Sequence, residues 1–172
     1  MEMSNSAFQD KAVDFIIYSL NDDYGENKDS YIAYREECPE KKEDGSNGRV
    51  DLKAGLLTDD GRPILLMNFE MKSSINDMKT GNGLNFNEQY NFIVVPFDLK
   101  IIRRAESLLK ALDRNDVGII AIDDIGTICL RGSSVNSNCE WLKKVYKDKR
   151  KKMPTFKNDN LYVGYTIEGT MI

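Results

Sequence analysis

Apolar residues recur every three or four positions early in the chain, at Phe8, Ala12, Phe15, Ile16 and Leu20. That spacing predicts a helix over residues 4–20, capped by Ser4 or Ser6, with one stripe for packing on a sheet. A polar break, "NDDYGENKDS", precedes "YIAYREE", whose aromatic and β-branched content predicts a short strand. "CPEKKEDGSNG" then predicts a loop. Residues 49–57 and 63–72 read as two strands joined by "TDDGR", where Asp60-Gly61 is a hairpin signal that sets them antiparallel. The Gly- and Asn-rich "SSINDMKTGNGLNFNEQ" predicts a short helix or a mobile loop, and "YNFIVVPF" a buried strand stopped by Pro96. Asp98 caps a predicted helix from 99 to about 112, with Leu99, Ile102, Ala105, Leu109 and Leu112 on one face. "VGIIAID" and "TICLRG" predict two short strands, and the tail a helix around 138–151 and a last strand at "LYVGYTI".

With no internal repeat and no clear linker, the 172 residues predict a single domain with a basic C-terminal extension from about 138. The order of elements points to an α/β fold, a mixed central sheet flanked by helices. No apolar run approaches the roughly 20 residues of a membrane span, so no membrane partner is expected. The N-terminus "MEMSNSAFQDK" lacks the basic and apolar regions of a secretory signal, which makes the cytoplasm the expected compartment.

Composition narrows the chemistry. The chain contains no histidine, which excludes an imidazole base, a Ser-His-Asp triad and His metal ligands supplied by this chain alone. Cys38, Cys129 and Cys139 are widely spread, without a C-x-x-C pair, and read as reduced, inert thiols. The net charge of −4 is unevenly placed: "KKVYKDKRKKMPTFK" holds eight of the 24 basic residues against one acid. Such a run, centred on Lys149, Arg150, Lys151 and Lys152, suits contact with phosphate, although it equally suits a solvated helix end.

The chemistry left concentrates in "NFEMKSS". In a strand Asn68, Glu70 and Lys72 share one face, with Met67, Phe69 and Met71 on the other, toward the core. The paired strand brings Asp51 toward Glu70 and Lys72. Such groups are costly to bury unless paired or metal-bound. Two carboxylates side by side suit Mg²⁺, which takes few protein oxygens and keeps several waters, with Mn²⁺ as a substitute. Lys72 beside them can orient or deprotonate a metal-bound water, a constellation that fits phosphodiester hydrolysis.

The order Asp51, hairpin, Glu70-Met71-Lys72, strand, helix, strand resembles the PD-(D/E)XK nuclease superfamily. Within it, "RVDL…NFEMKSSINDM…YNFIVVP…DVGIIAIDDIGTICLRG" is similar to the MmcB-like DNA repair family over about residues 36–132. The resemblance implies a restriction-endonuclease-like core and a Mg²⁺-dependent deoxyribonuclease acting in DNA repair or processing. It implies Asp51, Glu70 and the Met71 carbonyl as metal ligands and Lys72 as the catalytic lysine, with an accessory acid from Glu36 or Glu37. Ser73, Ser74 and Asp77 match the family's run without a derivable chemical role. Gln89 occupies a position where related nucleases place a Gln, although a loop residue beside a packed Tyr90 is the favoured reading. Val50 stands where the superfamily name places proline. DNA is the implied partner, and a homodimer is left open. The rival readings are a catalytically silent DNA-binding or assembly module on the same fold, and a protein unrelated to nucleic acid whose charged strand is merely surface.

Overall fold

The computed structural model describes residues 5–24, 30–42, 45–78, 84–124 and 126–133. Helix α1 runs Asn5–Tyr24, one residue inside the expected start and four past the expected end. Its stripe is buried as the spacing requires, with Phe8, Ala12, Phe15, Ile16 and Leu20 all at 6% exposure or less.

Strand β1 spans Ser30–Lys41 and β2 spans Asn47–Thr58. The expected loop after Glu37 is therefore much shorter, because Cys38, Pro39, Glu40 and Lys41 pair with Val50, Arg49, Gly48 and Asn47. Antiparallel pairing uses backbone groups, so polar side chains do not stop it. Pro39, with no N–H to donate, is tolerated because β1 is an edge strand. Strand β3, Pro63–Met71, pairs antiparallel with β2 as expected, Leu52 opposite Phe69 and Lys53 opposite Asn68. The connecting turn closes through Gly61 N–H to the Thr58 carbonyl at 2.8 Å, with Gly61 at φ +83°. That positive φ is the reason glycine stands there.

One 3-10 turn, Asn76–Met78, lies between β3 and strand β4, Tyr90–Pro96. Helix α2, Leu99–Ala111, leads to β5, Gly118–Ile122, and β6, Thr127–Arg131. The sheet runs β1-β2-β3-β4-β5-β6, with β3-β4 and β4-β5 parallel and the other neighbours antiparallel. Among the described residues the fold is thus α/β, a six-stranded mixed sheet with a helix on either face.

On the face under α1, Leu52, Ala54, Met67, Phe69, Phe92 and Ile120 join the helix stripe in one core. Under α2, Ile93, Val95, Ile119 and Ala121 meet Ile102, Ala105, Leu108 and Leu109, with Met78 and Phe86 completing the cluster. Asp98 caps α2, accepting from Lys100 N and Ile101 N at 2.9 and 3.2 Å. The expected face of α2 needs correction at both ends. Leu99 opens the helix and Leu112 caps it, and both are exposed, at 65% and 41%, while Leu108 takes a core position.

The predicted C-terminal helix and last strand, Cys139 and the basic run at Lys149, Arg150, Lys151 and Lys152 lie outside the described residues. Among the described residues no helix is long and apolar enough to cross a membrane.

Candidate functional site

The register that sets Leu52 opposite Phe69 carries Asp51 and Glu70 to facing positions on the next rung. The face they share with Lys53 and Asn68 is the one opposite α1. Its β4 and β5 half is covered by α2. Over β2 and β3, residues 85–89 supply the cover instead, and apart from Phe86, which packs in the α2 cluster, their contacts are polar. Asn85 N–H donates to Glu70 Oε1 at 3.0 Å, Glu88 Oε1 meets Lys53 Nζ at 2.9 Å, and Gln89 Oε1 accepts from Leu66 N at 3.1 Å.

Two acids are thereby pressed together. Met71 N–H donates to Asp51 Oδ2 at 2.7 Å, and the Asp51 and Glu70 carboxyls lie close enough for each to act on the other's charge. Glu70 is 2% exposed. Burial first, and the Asp51 charge second, push its carboxyl up to about 9, against the opposing pull of Lys72 and the Asn85 N–H. Burial also raises Asp51, and there the Met71 N–H and Lys72 pull down while Glu37 pushes up. The two acids therefore titrate as a coupled pair, both raised, with Glu70 the more buried of them. Lys72, half-buried, continues the parallel ladder through its N–H to the Val94 carbonyl at 2.9 Å. It acts on Asp51, Glu70 and Asp77 through charge rather than through a hydrogen bond.

The two accessory acids part company. Glu36 lies opposite Leu52, a residue of the α1 core, and its charge bears on Tyr34 rather than on Asp51. Glu37 is the acid that acts on Asp51. It holds a left-handed backbone, φ +47°, inside a strand, and it accepts from Gln9 Nε2 at 2.7 Å and meets Arg49 at 3.6 Å.

Ser73, Ser74 and Asp77 form a latch. Asp77 Oδ2 accepts from Ser73 N and Oγ at 3.2 and 2.8 Å, Ser74 Oγ accepts from Asp77 N at 3.4 Å, and Asn5 of α1 bonds both Ser73 and Asp77. These hydrogen bonds outweigh burial and lower Asp77. The latch pins the start of α1 to the end of β3 just past Lys72. Gln89 is likewise structural, since it satisfies a β3 backbone N–H, and Tyr90 is packed in the α1 core. Cys38 is buried, and its thiol donates to the Pro39 carbonyl at 3.7 Å.

Pattern reading missed a polar cluster beside the acids. Lys53 Nζ lies between Glu40 at 3.0 Å and Glu88 at 2.9 Å, and Asn68 Nδ2 donates to Glu40 Oε2 at 2.8 Å. All three charged side chains are 13 to 16% exposed. The alternation of Asp51 and Lys53 in β2 was the available signal, whereas Glu88 falls in a stretch without periodicity.

Among the described residues no group of three or more His, Cys, Asp or Glu side chains is spaced to hold a metal ion. The donor set that does occur, two carboxylates pressed together beside the Met71 backbone at the end of β3, fits a hard cation of few protein ligands.

No family model matches the chain, and no curated protein matches it. A solved structure, described as the SPO1766 protein of unknown function from Silicibacter pomeroyi, is similar over 87% of this chain and 86% of that one, at 16% identity and a TM-score of 0.47.

Proposed function

We propose that this protein is a metal-dependent deoxyribonuclease with a restriction-endonuclease-like core of the PD-(D/E)XK type, MmcB-like in its motif order. The observation that carries the reading is the Asp51–Glu70 pair, an acid couple held together at a cost on the sheet face where Lys72 adds a positive charge. Asp51, Glu70 and the Met71 carbonyl would hold Mg²⁺ or Mn²⁺, which supplies polarisation of the scissile phosphate and a bound water of lowered pKa. The chain's own residues do the rest. Asp51 is held by the Met71 N–H and Glu70 by the Asn85 N–H, so both carboxylates are oriented by backbone before any ligand arrives. Lys72 lies within electrostatic reach of both and steadies negative charge that develops on a phosphate. Glu37, through its charge on Asp51, is the accessory acid of the two expected.

The test is cleavage of labelled single-stranded, duplex and branched DNA with Mg²⁺ or Mn²⁺. Wild type cuts, and Asp51→Ala and Lys72→Ala fall by at least about 100-fold, in the range of removing one transition-state donor. Equal cutting by all three proteins would remove the mechanism.

One observation favours a second reading, a DNA-binding module without turnover: Glu70 is almost fully buried, and that burial pushes its carboxyl well above the usual carboxylate range. That reading expects salt-sensitive DNA binding that survives chelation and Lys72→Ala. Metal-dependent cutting abolished by Lys72→Ala would exclude it.

A further inference from the structure

Buried side-chain amides are nearly always hydrogen bonded, and two beside Glu70 are not. Asn85 is 2% exposed, and neither its Nδ2 nor its Oδ1 has a partner. Asn68 is fully buried two residues before Glu70 on the same strand face. Its Nδ2 is taken by Glu40, and its Oδ1 has no partner. The Asn85 backbone N–H at 3.0 Å from Glu70 Oε1 fixes that residue beside the acid. Two amide oxygens and one amide NH₂ therefore stand unpaired on the two residues that flank Glu70, one joined to it through its backbone and the other two positions earlier on the same strand face. An apolar side chain at either position would avoid the desolvation. Water bound to a hard cation is a strong hydrogen-bond donor, because its lone pair goes to the metal, and it therefore suits the two amide oxygens, Asn68 Oδ1 and Asn85 Oδ1.

We propose that Asn85 and Asn68 are positioning residues that hold the water shell of a divalent cation bound at Asp51 and Glu70. This rests on the metal-site reading above. Magnesium and manganese keep most of their waters when bound by one or two carboxylates, so the orientation of those waters falls to neighbouring polar groups. Asn85 is the cleaner of the two to test. Its backbone N–H, and hence the hydrogen bond to Glu70, survives any replacement except proline, whereas changing Asn68 also releases Glu40.

The experiment is calorimetric titration of the full chain with Mn²⁺, alongside melting in EDTA, for wild type, Asn85→Leu and Asn85→Ala. Loss of a group that orients a metal's ligands or waters typically weakens binding 10–100-fold, and that loss is expected for both variants. The melting temperature of metal-free Asn85→Leu is expected to equal or exceed that of wild type, because an unpaired buried amide has been replaced by an apolar side chain of similar size. Asn85→Ala keeps the test alive if leucine does not fit. Unchanged Mn²⁺ affinity in a wild type and variants that all bind overturns the role of Asn85 and leaves the metal site standing. A wild type that binds no Mn²⁺, with Asp51→Ala indistinguishable from it, overturns the metal site itself.

Discussion

Between pH 5.5 and 7.5 the metal-free protein is expected to lose stability as the pH rises. In the unfolded chain Glu70 ionises near its ordinary value of 4.5, whereas in the fold burial and the Asp51 charge hold its proton to about 9. Over that interval the folded state binds one more proton than the unfolded state. Stability therefore falls with pH, with a slope of at most about 1.4 kcal/mol per pH unit, or roughly 2.7 kcal/mol across the two units. Asp51, raised as well, adds to the same sign at the acid end. The window is clean because the chain has no histidine, and thiols and the α-amino group titrate mainly above it. Urea unfolding in EDTA at pH 5.5, 6.5 and 7.5 measures the slope, and Glu70→Gln, which cannot ionise, should flatten it. Adding Mg²⁺ should recover stability most at the highest pH, since a cation competes there with the fewest protons. A wild-type slope of zero, or the same slope in Glu70→Gln, would refute the raised Glu70 carboxyl.

Three further outcomes follow from the geometry. Lys53→Met leaves Glu40 and Glu88 facing each other with little water, and should destabilise by roughly 3 kcal/mol in urea unfolding, with much of the loss recovered in the Lys53→Met/Glu40→Gln double variant. Gly118→Ala places a Cβ 2.5 Å from the Phe92 ring and 2.7 Å from the Arg131 carbonyl. It should cost about 1–3 kcal/mol by overpacking, read as a lower denaturation midpoint. Asp98→Ala removes the α2 cap and should cost about 1 kcal/mol, whereas Asp98→Ser should lose much less.

What the sequence made legible was local. The Asp60-Gly61 turn and the period of two across Asn68, Glu70 and Lys72 suffice to bring Asp51 and Glu70 onto one face, because a hairpin register needs no distant information. The α2 cap was equally plain, since Asp98 and its two N–H donors are neighbours in the chain. Polar residues whose partners are distant were not legible. Pairing through Cys38 and Pro39 depends on β2 extending to meet them, which a loop-like composition conceals. The choice of Glu37 over Glu36 turns on which side of an edge strand each residue takes, and the left-handed backbone at Glu37 upsets simple alternation. Asn85 and Glu88 lie in a stretch with no apolar period, so only the path between β3 and β4 sets them against Glu70 and Lys53.

That path explains why an expensive site can persist here. The α1 face is apolar from β2 to β5 and anchors the sheet. On the opposite face α2 covers only the β4 and β5 half, with Ile93, Val95, Ile119 and Ala121 beneath it. A structural sheet would extend those aliphatic positions to Asp51, Lys53, Asn68 and Glu70 and close them under an apolar segment. This chain instead places acids, a lysine and two asparagines there and covers them with residues 85–89, leaving a buried carboxyl pushed above its usual range and three amide atoms unpaired. Each of those departures works against stability, and all fall within one patch beside Lys72. Local violations of good packing that cluster in this way, while the rest of the fold obeys it, are what the proposed metal site requires of this patch.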